Sequence, residues 1–324
     1  MELTEILILV VTFSVLLALG VPISFSIGIA SVATMLFSIK ALPALTTVAQ
    51  RIATGLDSFA LLAIPFFILA GQLMNSGGIA RRLIEFAKIL VGKLPGGLAF
   101  VNIMAAMLFG AISGSAVAAA SAIGGFMTPI MRKEGYDRSF SAAVNITSAT
   151  TGLIIPPSNI LIVYSLASGG VSIAALFLAG YIPGILLGLG LMVVALIYSK
   201  KHKYKINFTF TFNDAVKKFL DALPSLLLII IVIGGIVAGY FTATEASAIA
   251  VLYAFILSVF IYKEIKYKDL PKILLESAST TAIVMLLVGT SMAMSWVMAY
   301  ENIPQNVAQS LIALSDNPIV ILVI

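Results

Sequence analysis

Apolar stretches long enough to cross a lipid bilayer follow one another along this 324-residue chain, and that feature decides the fold class. A hydrocarbon core about 30 Å thick cannot satisfy open strand edges, so segments that cross it are helical. Composition agrees. Hydrophobic residues make up 60% of the chain and charged ones 10%, against roughly one quarter charged in soluble domains, and mean hydropathy is +1.12. The expected class is an all-α polytopic membrane protein.

The start, Met1-Glu2-Leu3-Thr4-Glu5, lacks the positive n-region and cleavage site of a secretory signal, so the first apolar run is expected to stay as a membrane helix. The absence of cysteine excludes disulfide frameworks, thiolate metal sites and cysteine nucleophiles. Ala111-Ile112-Ser113-Gly114 is reminiscent of an intramembrane serine protease motif, but the single histidine, His202, sits in a lysine cluster outside the membrane and cannot act as its base. No His or carboxylate grouping has metal-ligand spacing. An enzyme is therefore not expected, nor a cofactor.

The formal charge of +5 reflects membrane orientation rather than a nucleic-acid partner. All but Lys40 and Arg51 of the 19 Lys and Arg fall into four clusters between apolar runs: 81–93, 132–138, 200–218 and 263–272. If all four are cytoplasmic, then Lys40, Arg51, the Ser168-Gly169-Gly170 turn and the stretch from Glu301 to Asp316 lie outside. The segment 98–131 then leaves a basic flank and returns to one. Ser113-Gly114-Ser115 divides it into arms of about 15 residues, each reaching only about 23 Å at 1.5 Å per residue. This predicts a re-entrant helical hairpin with its tip buried in protein. The next stretch, 139–168, is interrupted at Gly152 and at Pro156-Pro157-Ser158, where two backbone donors are missing and the residue before each proline is pushed out of the helical region. It reads as one broken crossing.

An internal repeat shows at an offset of 224 residues. Gly20-Val21-Pro22 falls on Thr244-Glu245-Ala246, and Met74 and Ile79 on Met298 and Ile303. In the topology above the two copies face opposite ways, a hallmark of secondary transporters. The expected division is a first half at 1–199, a cytoplasmic interfacial arm at 200–221, with Phe208, Phe210 and Phe212 alternating before an amphipathic stretch, and a second half at 222–324. Ser113 plus the offset lies past residue 324. A second hairpin and second broken helix are therefore expected beyond the sequence given.

A helix broken inside the membrane exposes carbonyls at one end and amide donors at the next, suiting a cation and a carboxylate respectively. Two such breaks facing each other make an ion site without charged side chains. Sodium prefers hard oxygen donors, so the expected site comprises Ser113, Gly114, Ser115, Gly152, Ile155 and Pro157, with Ser115, Thr151, Pro156 and Ser158 toward the substrate. Either motif alone reads better as close helix packing or a kink, and the two together, in the hairpin topology, read as a site. Glu245 has capping-box spacing after Thr242 and reads as a helix start, while Asn75-Ser76-Gly77-Gly78 reads as a helix end.

Four stretches resemble the large membrane subunit of tripartite ATP-independent periplasmic (TRAP) transporters, the DctM-like family. They are 61–71 (LLAIPFFILAG), the tip 110–116 (GAISGSA), Arg132-Lys133-Glu134-Gly135-Tyr136, and Ile154-Ile155-Pro156-Pro157-Ser158. The resemblance spans the chain. Ala119 departs from it, standing where many members carry an aspartate. It implies an elevator-type sodium symporter in a bacterial or archaeal inner membrane. The implied partners are a small four-helix membrane subunit and a periplasmic substrate-binding protein, and the implied cargo is a small organic anion such as a C4-dicarboxylate or sialic acid. A stand-alone sodium/dicarboxylate symporter and a non-transporting membrane scaffold are the alternatives.

Overall fold

A computed structural model describes residues 2–202, 204 and 211–314. Along the chain run α1 (Glu2–Ala18), α2 (Ile23–Ser38), α3 (Ala41–Leu56), a 3-10 turn (Phe59–Leu62), α4 (Ala63–Ser76), α5 (Ile79–Val91), α6 (Gly97–Ser113), α7 (Ala116–Lys133), α8 (Arg138–Ala149), the single turn α9 (Thr151–Ile154), α10 (Asn159–Ala167), α11 (Ile173–His202), α12 (Phe212–Val237) and α13 (Ala243–Phe255). A π turn (Ile256–Ile261), a short 3-10 turn (Tyr267–Asp269), α14 (Leu270–Tyr300) and α15 (Ile303–Leu314) follow. Among the described residues five helices are long and apolar enough to cross a membrane, and six if the pair 138–154 and 159–167, bent by 49°, counts as one span. The protein is all-α and polytopic. Residues 205–210, which hold Phe208 and Phe210 of the expected arm, and the terminal apolar run 317–324 lie outside the described residues.

The helices form two compact units, Met1–Ser58 with Ala282–Ile324, and Phe59–Thr281. In the first, α1 and α2 form a hairpin whose turn needs Gly20 at φ +81°, a conformation that costs other residues about 1–2 kcal/mol. Leu9, Met35, Ala44 and Val48 pack with Ala293, Val297 and Ile303. Lipid tails are as apolar as leucine, so close van der Waals fit rather than water exclusion holds such helices together. Small residues supply that fit. A Cβ on Gly28 would lie 3.2 Å from Thr290 Cγ2, and one on Gly289 would lie 3.1 Å from Ile52 Cγ2. Arg51 lies over the Trp296 ring at 5.2 Å, and Ser38 donates to Glu301 at 2.5 Å.

The second unit is built around α4 against α13. Gly77 lies directly on Ser258, leaving no room for a Cβ. Ser258 sits in the π turn and donates its hydroxyl to the Leu73 carbonyl at 3.2 Å. The short helix α5 buries Ile79, Ala80, Leu83, Ile84 and Ala87 at helical spacing and turns its charges outward. Those charges are paired. Arg81 meets Glu264, Arg82 meets Asp221 at 3.3 Å and lies 3.5 Å over the Tyr262 ring, and Glu85 bonds both Lys88 and Lys218. A second lock is aromatic: Tyr136 stacks on Tyr204 at 4.0 Å, Phe140 on Tyr198 at 4.1 Å and Tyr198 on His202 at 4.1 Å. The backbone amide of Asp137 also donates to the Tyr204 hydroxyl at 3.1 Å. The ion pairs thus join 81–93 to 217–221 and 262–264, and the aromatic stack joins 132–140 to 198–204.

Element boundaries recur at the 224-residue offset. α4 ends at Ser76 and α5 starts at Ile79, just as α14 ends at Tyr300 and α15 starts at Ile303. Packing crosses between the copies, because α2 rests on the later half of α14 in one unit while α13 rests on α4 in the other. Compactness and repetition therefore cut the chain differently. The amphipathic stretch after Thr211 forms the first part of the 26-residue helix α12. Pro224 does not interrupt it, and the Tyr253 hydroxyl donates to the Pro224 carbonyl at 2.9 Å.

Candidate ion and substrate site

The hairpin turns in two residues. Gly114 ends α6 in the left-handed region (φ +62°), its N–H donating to Gly110 O at 2.9 Å. Ser115 is extended and caps α7, its Oγ accepting from Ala118 N at 3.3 Å. A Cβ at position 114 would meet Pro157 O at 2.6 Å, so both conformation and space demand glycine there.

The broken crossing supplies the other wall. α9 ends at Ile155 in extended backbone, Pro156-Pro157 is a cis peptide, and Ser158, also extended, caps α10. The Ser158 hydroxyl accepts from Leu161 N at 3.4 Å and donates to Leu153 O, while Thr151 donates to Ser148 O at 2.6 Å. Each has its proton committed and keeps only acceptor capacity, which suits a cation better than a carboxylate.

Tip and break touch through their backbones. Asn159 N donates to Gly114 O at 3.3 Å. Gly110 and Gly152 lie face to face: a Cβ on Gly152 would be 3.0 Å from Gly110 Cα and 3.5 Å from Ser115 O, and one on Gly110 would fall on Gly152 Cα. Ser113, Gly114, Ser115, Gly152 and Pro157 thus share one locus, with Ile155 two residues before Pro157 and packed on Gly184 of α11. From this level α10 runs on for nine residues to Ala167, and the 30-residue α11 returns to Lys200 and Lys201. α6 and α7 both end at basic flanks. The tip therefore stops partway along the crossing, as a re-entrant hairpin does.

Two buried oxygens here lack partners among the described residues: Ser113 Oγ, in a residue 1% exposed, and Asn159 Oδ1. A buried polar group left unpaired costs about 1–3 kcal/mol, so these atoms are poised for a ligand. Ser113 and Ser115 line a cavity of about 250 Å³ with Ser121, with Gly71, Gln72 and Asn75 of α4, and with Glu276 and Thr280 of α14. Of the four residues expected to meet substrate, Ser115 lines this cavity, whereas Thr151, Pro156 and Ser158 face the break. Gln72, Asn75, Glu276, Thr280 and Asn159 were missed. Their signal was polar residues at i, i+3 (Gln72, Asn75) and i, i+4 (Glu276, Thr280), each pair on one face of a membrane helix. No group of three or more His, Cys, Asp or Glu comes together as a metal site among the described residues. A cation here would be held by neutral oxygens.

The capping residues fall where local chemistry puts them. Thr242 and Glu245 form a capping box, with Thr242 N to Glu245 Oε2 at 2.8 Å and Glu245 N to Thr242 Oγ1 at 3.2 Å. Gly77 ends α4 and Gly78, at φ +73°, opens α5.

Residues 10–324 match the family described as "Tripartite ATP-independent periplasmic transporter, DctM component". The chain is 54% identical over 319 residues to the Salmonella typhimurium protein YgiK, described as uncharacterized, covering 98% of this chain and 73% of that one. It is 39% identical to the C4-dicarboxylate TRAP transporter large permease protein DctM of Rhodobacter capsulatus, covering 91% of this chain and 70% of that one. It is 40% identical to the sialic acid TRAP transporter large permease protein SiaM of Vibrio cholerae, covering 95% of this chain and 72% of that one. With the hairpin, the broken crossing and this match across nearly its whole length, the chain belongs to the DctM family, the large permease component of tripartite ATP-independent periplasmic transporters.

Proposed function

We propose that the chain works as a sodium-coupled, binding-protein-dependent importer of small organic anions in a bacterial cytoplasmic membrane. The observation that carries this reading is the backbone contact of two neutral helix breaks beside the unpartnered Ser113 hydroxyl. Sodium is held by oxygens of Ser113, Gly114, Ser115, Gly152, Ile155 and Pro157, with Asn159 Oδ1 as a further donor. Thr151 and Ser158 offer their remaining lone pairs from the break, and Ser115 meets the anion. Importing an anion against 100 mV, inside negative, costs about 2.3 kcal/mol per charge, and inward sodium supplies both compensating charge and driving force.

The close approach of Gly110 and Gly152 packs the hairpin against the broken crossing. That packing supports an elevator movement in which the two travel together, over a gate between them. The partners are a small membrane subunit and a periplasmic protein that delivers the anion, the remaining members of a tripartite system.

The test is uptake of sialic acid and succinate into proteoliposomes holding this subunit with its small partner, with and without sodium and binding protein outside. Dependence on both supports the tripartite carrier. Dependence on sodium alone supports a stand-alone symporter, and the absence of any uptake rejects a transport role.

A further inference from the structure

We propose that the cavity beside the hairpin tip is the anion pocket, and that Glu276 selects for monoanions carrying a hydroxyl or ammonium group over dianions. This rests on the carrier reading above and adds to it a substrate class.

Two chemically different groups line the cavity. One is the first turn of α7, capped by Ser115, where the leading N–H groups have no acceptor within the helix and favour a carboxylate, with Ser113 Oγ, buried and without a partner among the described residues, two positions before it. The other is Glu276, the one charged residue among those that line this cavity. Its ion-pair partner, Lys272 Nζ, is 3.9 Å away on a side chain 80% exposed, while Glu276 itself is 49% exposed. A pair that open to solvent interacts weakly, so Lys272 leaves the Glu276 carboxylate open to a ligand in the cavity that it lines.

An ionised carboxylate only accepts hydrogen bonds. The ligand end that meets Glu276 must therefore donate, as a hydroxyl or ammonium does. A second carboxylate would place like charges together in a partly desolvated cleft. Gln72 and Asn75 also line the cavity, and their amides both donate and accept, so they bond either ligand without choosing between them.

The experiment uses three four-carbon probes that differ only at one end: succinate, 4-hydroxybutyrate and 4-aminobutyrate. Each is titrated against the purified chain in lipid nanodiscs containing sodium chloride, following the thermal unfolding midpoint. The expected result is that 4-hydroxybutyrate and 4-aminobutyrate bind about tenfold more tightly than succinate. Glu276→Gln should close that gap to about threefold or less, and Gln72→Leu should weaken all three. Succinate binding as well as the others, or a ranking unchanged in Glu276→Gln, overturns the selectivity while leaving the carrier reading intact. Stabilisation by sodium with none by any probe removes the cavity as the anion pocket. The absence of both responses overturns the sodium site as well.

Discussion

Ser113 and Ser158 are alike in sequence and opposite in structure. Ser158 caps α10 and donates to Leu153 O, so its proton and one of its two lone pairs are used. Ser113 is just as buried, yet its hydroxyl has no partner among the described residues. Deleting a hydroxyl that makes no bond removes an unpaired polar group and should leave stability within about 0.5 kcal/mol. Ser113→Ala is therefore expected to insert and unfold like the parent while raising the sodium concentration for half-maximal uptake about tenfold. Ser158→Ala should instead cost about 1 kcal/mol through the lost cap, read as a lower unfolding midpoint. A sodium response unchanged in Ser113→Ala would remove that hydroxyl from the site. Residue type and spacing place both serines at helix breaks; Ser158 opens a helix and is paired by its neighbours Leu153 and Leu161, whereas Ser113 closes one and its hydroxyl is left over, a difference that residue type alone does not show.

At the scale of elements, the hairpin and the broken crossing are legible because their causes are local. Gly114 turns the tip through a left-handed residue and the two prolines remove amides that a helix would need. What the motifs do not reveal is that Gly110 and Gly152 bring these elements into backbone contact. Gly152→Val is expected to leave membrane insertion unchanged, since apolar content decides that, and to destabilise the contact by about 1–3 kcal/mol. Sodium-dependent uptake should fall with no change in the amount of protein in the membrane. Full uptake would show that tip and break need not touch.

The connector α5 is held to α12 by charge. Burial pushes the Glu85 carboxyl up, but its bonds to Lys218 and Lys88 and the charges of both outweigh that and hold it below the usual carboxylate range. A carboxyl depressed in the folded state stabilises the fold above its ordinary value and ceases to do so as pH falls through the depressed one. Hydrogen exchange in 79–91, corrected for its intrinsic pH dependence, should rise on acidification below about pH 4. It should already be raised at neutral pH in Lys218→Met. Equal exchange in the parent and Lys218→Met would mean that apolar packing alone secures α5.

For the whole molecule, the repeat and the charge pattern carry the sequence information. The 224-residue offset reappears in the ends and starts of helices, whereas the crossed packing of α2 on α14 and α13 on α4 does not show in any single stretch, because it joins residues as far apart as Gly28 and Thr290 or Leu73 and Ser258. The basic clusters gain a physical meaning from their contacts. The ion pairs of Arg81, Arg82 and Glu85 tie 81–93 to 217–221 and 262–264, and the aromatic stack ties 132–140 to 198–204. Within each of these two groups the joined segments cannot lie on opposite sides of a bilayer, and retention of Lys and Arg on the cytoplasmic side predicts that both groups lie there. The Ser168 turn is reached by α10 leading away from the hairpin tip, and α11 spans about 45 Å back to Lys200, so it belongs on the other face. With no native cysteine in the sequence, single replacements report orientation directly. Lys133→Cys, Lys201→Cys and Lys266→Cys should resist a membrane-impermeant maleimide added to intact cells and react after lysis, while Ser168→Cys should react in both. The reverse pattern would invert the protein in the membrane, and labelling of only some of the three lysine positions would show that the basic clusters do not share one face.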